Sequence, residues 1–168
     1  MYKSGGKWID CVTKWRKCYR KGVIVMFSGE YEHSLDSKGR IIMPSKFREA
    51  LGGVFYITKG LDRNLLVYDA KAWQEFYEKL SKLPMADKSA RGFSRLFLSG
   101  AVECEADKQG RVLLPATLRN YAGIQKNATI IGNGDKIEIW SSENWNSYID
   151  ALDPDAVAAN LCDLGIMI

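Results

Sequence analysis

Asp36-Ser37-Lys38-Gly39-Arg40-Ile41-Ile42-Met43-Pro44-Ser45-Lys46-Phe47-Arg48 returns 71 positions later as Asp107-Lys108-Gln109-Gly110-Arg111-Val112-Leu113-Leu114-Pro115-Ala116-Thr117-Leu118-Arg119. Both stretches spell D-x-x-G-R-x-x-x-P-x-x-x-R. The same offset lays Ser28-Gly29 on Ser99-Gly100, Glu32 on Glu103 and Gly52 on Gly123. At ordinary residue frequencies of roughly 5–7%, five fixed identities coincide about once in a million tries, so the chain carries a tandem duplication. Past Gly52 the offset becomes 72, with Gly60 on Gly132, Tyr68 on Trp140 and Trp73 on Trp145. One residue has been gained or lost in a turn, where insertions are tolerated.

Each copy reads as a ββαββ module. In copy two, Ala101-Val102-Glu103-Cys104-Glu105 alternates like a half-buried strand, and Asp107-Lys108-Gln109-Gly110 is a turn in which Gly110 takes a positive φ. Arg111-Val112-Leu113-Leu114 is a second, more buried strand. Pro115 then opens a short helix at its first position, and Gly123 stops it. Ala128-Thr129-Ile130-Ile131 and Ile137-Glu138-Ile139-Trp140 are two further strands around a turn at Gly132-Asn133-Gly134-Asp135. Copy one repeats the plan: strand near 30–35, turn 36–39, strand 40–43, helix 44–50, strand 54–58, turn 60–63, strand 65–68.

The fourth strand of each copy runs into a helix. Ala70 to Leu83 carries Trp73, Phe76, Tyr77 and Leu80 on one face, and a second helix over about 87–98 turns Phe93, Leu96 and Phe97 inward. Ser142 to Leu152 is the matching helix after copy two. Residues 153–168 lack strong periodicity and read as a loosely packed tail. The expected organisation is a basic extension over 1–25, module one over 30–72, a helical connection over 73–100, module two over 101–144, and a C-terminal helix and tail over 145–168. A module of about 45 residues is too small to bury a stable core alone. The predicted fold is therefore α+β, two interlocked halves closing into one barrel with pseudo-twofold symmetry that leaves no open sheet edge.

The chain's 168 residues carry a net charge of +4, but that charge is concentrated. Residues 1–25 hold seven basic residues against the single acid Asp10, which leaves 26–168 with a net charge of −2. A general appeal to basicity as a sign of nucleic-acid binding therefore fails, and any such site must be a local patch. In the extension, Trp8, Val12 and Trp15 fall at helical spacing, while the repeat register begins just after Met26, which reads as the usual start of the functional chain. The segment lacks the apolar core and cleavage site of a signal peptide. Cys11, Cys18, Cys104 and Cys162 are scattered without zinc spacing or a disulfide framework, so free thiols in a reducing cytoplasm are expected. There is no run of 18 apolar residues, no G-x-S-x-G, no phosphate-binding loop and no Ser/His/Asp set. The single His33 has no partner in spacing and reads as an ordinary core or surface histidine. Neither catalysis, a metal nor a cofactor is expected.

The motif itself has two readings. Asp36 and Arg40, like Asp107 and Arg111, flank a tight turn built on Gly39 or Gly110; the acid caps the turn and pairs with the arginine, pinning a hairpin. Alternatively the turn presents Arg40 and Arg111, with Lys38 and Lys108, to phosphates or guanine edges. Arg48 and Arg119, on the short helices, would assist with phosphates or stand as solvated helix-end charges.

These residues resemble one family. Phe27-Ser28-Gly29, Leu35-Asp36-Ser37-Lys38-Gly39-Arg40, Pro44-Ser45-Lys46-Phe47-Arg48, Asp107-Lys108-Gln109-Gly110-Arg111 and Ile137-Glu138-Ile139-Trp140 look like MraZ, a family of tandem SpoVT-AbrB-like proteins. The likeness covers roughly 26–152; residues 1–25 have no counterpart in it. It implies an AbrB-like swapped-hairpin barrel, ring-shaped homo-oligomers, and a cytoplasmic, nucleoid-associated transcriptional regulator. Such a regulator binds short repeats of double-stranded DNA in the promoter of its own division and cell-wall gene cluster. The family's DNA-binding signature carries over to Asp36/Arg40 and Asp107/Arg111. The rival expectation is a non-catalytic barrel scaffold that binds a protein partner, for which the aromatic connecting helices (Trp73, Tyr77, Phe93) would serve.

Overall fold

Period-two alternation places four strands in each copy, with one short helix between the second and third. The computed structural model describes residues 26–164; the basic extension over 1–25 and its helical spacing lie outside that range, as do residues 165–168. Copy one contributes β1 (Phe27–Ser34), β2 (Arg40–Ile42), α1 (Ser45–Leu51), β3 (Val54–Lys59) and β4 (Leu65–Asp69). The helices α2 (Ala70–Ser81) and α3 (Lys88–Gly100) follow. Copy two contributes β5 (Val102–Glu105), β6 (Arg111–Leu113), α4 (Ala116–Ala122), β7 (Asn127–Gly134) and β8 (Lys136–Ser141), then α5 (Ser142–Ala151) and α6 (Pro154–Asp163). The protein is thus α+β, as its patterning predicts.

The strands do not pair copy by copy. One antiparallel sheet runs β1-β7-β8-β4-β3-β5, and β2 and β6 form a separate two-stranded ribbon. The first strand of copy one lies on the third strand of copy two, from Phe27 opposite Gly134 to Ser34 opposite Asn127. Reciprocally, β5 lies on β3, from Val54 opposite Glu105 to Ile57 opposite Val102. Exchanging the copies reverses the strand order onto itself. The pseudo-dyad passes between Leu66 and Glu138, which face each other where β4 meets β8, and between Ile41 and Val112 in the ribbon.

Five expectations are corrected. The hydrogen-bonded sheet is open at β1 and β5 rather than closed into a barrel: β2 and β6 have only three residues each and pair with one another, so no ladder joins the two edges. Pro44 and Pro115 stand one place before their helices, as N-caps in extended conformation (ψ 138° and 147°), instead of opening them. The segment 132–134 is not a turn but the end of β7, paired to β1 and β8. Residues 154–163, expected as tail, are helical: Asp153 accepts from the N–H groups of Asp155 and Ala156, and Pro154 has the fixed φ suited to a first turn. Finally, Tyr77 and Phe93, expected on inward faces, are exposed.

The exchange produces a shared core. Ile41, Met43, Phe47, Phe55, Ile57, Leu65 and Val67 from copy one pack with Val112, Leu114, Leu118, Ile130, Ile137 and Ile139 from copy two. Phe27 and Tyr31 meet Phe47 edge-on at 5.6 and 5.2 Å. A second cluster of Leu66, Tyr68, Leu80 and Phe97 lies beneath α2 and α3, where Trp73 stacks on Tyr56 at 5.3 Å. Asp69 and Asp87 cap these two helices through the N–H groups of Ala72 and Ala90, each cap contributing about 1 kcal/mol.

Candidate nucleic-acid interface

The doubled motif folds into two clamps that share the same hydrogen-bond pattern from aspartate to turn and arginine Nε. In copy one, Asp36 Oδ1 accepts from the backbone N–H of Lys38 (2.9 Å) and of Arg40 (3.0 Å), while Oδ2 accepts from Arg40 Nε (2.7 Å). In copy two, Asp107 Oδ1 accepts from the N–H of Gln109 and Arg111, both at 2.9 Å, and Oδ2 from Arg111 Nε at 2.8 Å. Ser, Thr or Asn at this position would lack both the second acceptor oxygen and the charge. The charge matters to the titration. The Arg40 side-chain hydrogen bond, reinforced by the Arg40 backbone N–H, lowers the Asp36 carboxyl to about 2. The backbone N–H of Arg111, helped by its side chain, lowers Asp107 in the same direction.

The glycines of the motif complete the turn. Gly39 and Gly110 sit at φ 75° and 76°, and their N–H groups donate to the carbonyls of Asp36 and Asp107 at 2.9 and 2.8 Å. A Cβ on either would also meet an arginine from the opposite copy. The guanidinium carbon of Arg119 lies 2.9 Å from the place of a Gly39 Cβ, and that of Arg48 lies 2.9 Å from the corresponding place at Gly110. Backbone bonds cross the dyad in the same way, from Met43 N–H to Gly110 O (2.9 Å) and from Leu114 N–H to Gly39 O (3.0 Å). Arg119 Nε donates to Leu114 O at 3.0 Å.

The six basic candidates therefore divide by position. Arg40 and Arg111 stand on the ribbon, each half-buried; Arg111 is held through Nε, and Arg40 through Nε and through Nη2, which also lies 2.7 Å from Asp36 Oδ2, so each guanidinium keeps donors on its Nη groups for a ligand. Across the dyad, Arg40 Nη1 is 3.8 Å from Asp107 Oδ2. Lys38 and Lys108 are exposed at the turns but not equivalent, since Lys38 aligns with Gln109 and Lys108 with Ser37. Arg48 and Arg119 are half-buried against the other copy's glycine turn, a position that neither sequence reading foresaw.

Two residues were missed. The ribbon buries Ile41 and Val112 completely, so its other face carries Arg40, Ile42, Arg111 and Leu113. Ile42 is 47% exposed and Leu113 54% exposed, although both belong to apolar runs that read as buried. The detectable signal was strand alternation across a run of three aliphatics. His33 lies, half-buried, in a polar groove of about 550 Å3 lined by Glu32, Ser34, Asn127, Ser142 and Asn146, none of them a residue of the motif. Cys104 is half-buried in β5, and burial pushes its thiol up to about 11, which suits an inert packing residue. Among the described residues no group of three His, Cys, Asp or Glu is placed to hold a metal ion, and no helix is long and apolar enough to cross a membrane.

Duplicated clamps, strands exchanged between copies and a basic ribbon at the pseudo-dyad define a tandem-repeat protein whose two halves make one surface. The sequence model of the family described as "MraZ protein, putative antitoxin-like" matches twice in tandem, over residues 26–96 and 97–161. The chain is 51% identical over 143 residues to the transcriptional regulator MraZ of Halothermothrix orenii, spanning 84% of this chain and all of the relative. It is 55% identical to the protein of that name from Caldicellulosiruptor bescii and 50% to that from a Thermoanaerobacter species, with the same coverage. The chain belongs to the MraZ family.

Proposed function

We propose that the protein is a transcriptional regulator that binds double-stranded DNA in a sequence-specific way through the β2–β6 ribbon and its two clamped turns. The observation that carries this reading is the placement of Arg40 and Arg111 on the outward face of a two-stranded ribbon at the pseudo-dyad, each oriented by its own aspartate. The major groove, about 12 Å wide, admits such a ribbon, and arginine is the residue best suited to guanine O6 and N7. Lys38 and Lys108, exposed at the turns, would meet flanking phosphates, which position without specifying. Arg48 and Arg119, packed against the Gly110 and Gly39 turns of the opposite copy, would assist with phosphates at the same surface. The names of the relatives, transcriptional regulators throughout, support the reading.

The strand exchange supports an AbrB-like swapped-hairpin arrangement. Residues 26–168 carry a net charge of −2, so one copy offers few basic contacts and binds weakly. Several linked copies on repeated sites turn weak contacts into useful affinity through effective concentration. The protein accordingly acts as a homo-oligomer, a ring, in the cytoplasm at the nucleoid, on short repeats in the promoter of its own division and cell-wall gene cluster. Exposed Tyr77 and Phe93 on the connecting helices suit contacts between copies.

Arg40→Ala tests the reading. In a gel shift with the DNA upstream of its own coding sequence, the variant loses the specific shift while its assembled size is unchanged. Normal binding by Arg40→Ala at moderate salt overturns the role of the arginine, and a flat dependence of log K on log salt overturns phosphate contact.

A further inference from the structure

The outward face of the ribbon carries two large aliphatic side chains that the arginine reading leaves unused. Register places Arg40 opposite Leu113 and Ile42 opposite Arg111, so the four residues form a rectangle with arginines on one diagonal and aliphatics on the other. A lone exposed aliphatic is ordinary on a protein surface. Here the same position is exposed in both copies, Ile42 at 47% and Leu113 at 54%, and the two are related by the pseudo-dyad. Each is bracketed by arginines, with Lys38 and Lys108 exposed at the adjoining turns. A protein partner seeking an apolar patch would have to desolvate these cations, whereas a polyanion with apolar groups on its inner surface complements both features. In the major groove that apolar group is the C5 methyl of thymine.

We infer that Ile42 and Leu113 are specificity residues that pack on thymine methyls, beside the base edges read by Arg40 and Arg111. The inference rests on the DNA-binding reading and deepens it. Spacing makes it concrete. Same-face residues along a strand are about 6.6–6.8 Å apart, close to two steps of about 3.4 Å along a DNA strand. Directly opposed residues on paired strands are nearer, about 4.5–5.5 Å. A thymine therefore lies within about two base pairs of each arginine-read guanine, and the dyad repeats the pair in the other orientation. Truncating either aliphatic shortens a surface side chain and leaves the buried Ile41 and Val112 beneath it untouched.

The experiment selects duplexes from a random-sequence pool with the full chain, then replaces each thymine of the selected site by deoxyuridine, which removes the methyl and keeps the pairing edge. Loss of the contacted methyl weakens wild-type binding about fourfold, the factor that burying one such group is worth. In Ile42→Ala or Leu113→Ala that penalty vanishes at the thymine each residue contacts, while Ile42→Val retains most of it. An unchanged uracil penalty in both alanine variants overturns the inference, as does a selected site with no thymine within two base pairs of a guanine. If the alanine variants instead change the assembled size and leave the uracil penalty intact, the face is a contact between copies and the inference falls. Failure to enrich any sequence with the wild-type chain overturns the DNA-binding reading itself, an outcome distinct from enrichment without methyl dependence.

Discussion

Asp36 commits both carboxylate oxygens to its own turn, accepting from two backbone N–H groups and from Arg40 Nε. That arrangement has a pH signature whose sign is fixed by linkage. The folded carboxyl sits at about 2, below its ordinary 3.8, so the unfolded chain binds the proton more readily. The clamp's contribution is complete above about 3.8 and is lost as the pH falls through about 2. Across the neutral range it does not change. Carbon-detected NMR of the Asp36 and Asp107 carboxyls should show no titration between pH 5 and 8; a midpoint for Asp36 near 4 would mean that the clamp does not form. The paired acid and base were legible in the sequence as a turn, because spacing alone brings them together. The exposure of Ile42 and Leu113 was not, since residue type argues for burial and only pairing shows which face of the ribbon is covered.

At the scale of elements, the two copies are unequal in how their helices are used. After copy one, α2 and α3 bury Leu80 and Phe97 over Leu66 and Tyr68. After copy two, α5 and α6 bury none of their residues fully; Trp145 and Tyr148 lie beside Trp140 at 5.5 and 5.2 Å, and Tyr148 stays exposed. Phe97→Ala should therefore cost about 3–5 kcal/mol, while Tyr148→Ala should cost distinctly less. Urea melts followed by fluorescence check this, with a lower midpoint and unchanged slope expected for Phe97→Ala. Equal losses would mean that α3 is not part of the core. Most elements were legible because their periods are clean. The helix α6 was not: Pro-Asp-Ala-Val-Ala-Ala-Asn-Leu has a weak apolar stripe, and its start is marked mainly by Asp153 and Pro154. Conversely, Ser-Gly is common to both copies, yet Ser28-Gly29 lies in β1 whereas Ser99-Gly100 ends α3. An identical local sequence took its structure from what packs around it.

At the scale of the whole molecule, the tandem repeat declares that two similar halves exist but not which strands they exchange. Ladder partners are chosen by tertiary packing, and a strand's own pattern is silent about its neighbour. The observed exchange yields a prediction about dissection. A chain ending at residue 96 keeps β1 without β7 and β3 without β5, so both exchanged ladders are lost. Residues 26–96 and 97–164, produced separately, should be unfolded or associate through borrowed strands, and mixing them should restore the far-ultraviolet circular dichroism of the intact chain. An independently stable, monomeric 26–96 would contradict the shared core.

The same pairing bears on how the chain is born. Phe27 finds its place only when Gly134 is available, more than a hundred residues later. Contacts of such long sequence separation slow folding, because the entropy of closing the loop must be lost before any rung rewards it. On a ribosome adding about 5–20 residues per second, β1 waits at least several seconds with an unpaired edge. Until β5 emerges the apolar strand β3 pairs only with β4, and β4 lacks its other neighbour until β8 is made. A nascent chain of this design therefore places its greatest demand on chaperones midway through translation, and a pause in the second half of the message would lengthen the hazard rather than relieve it.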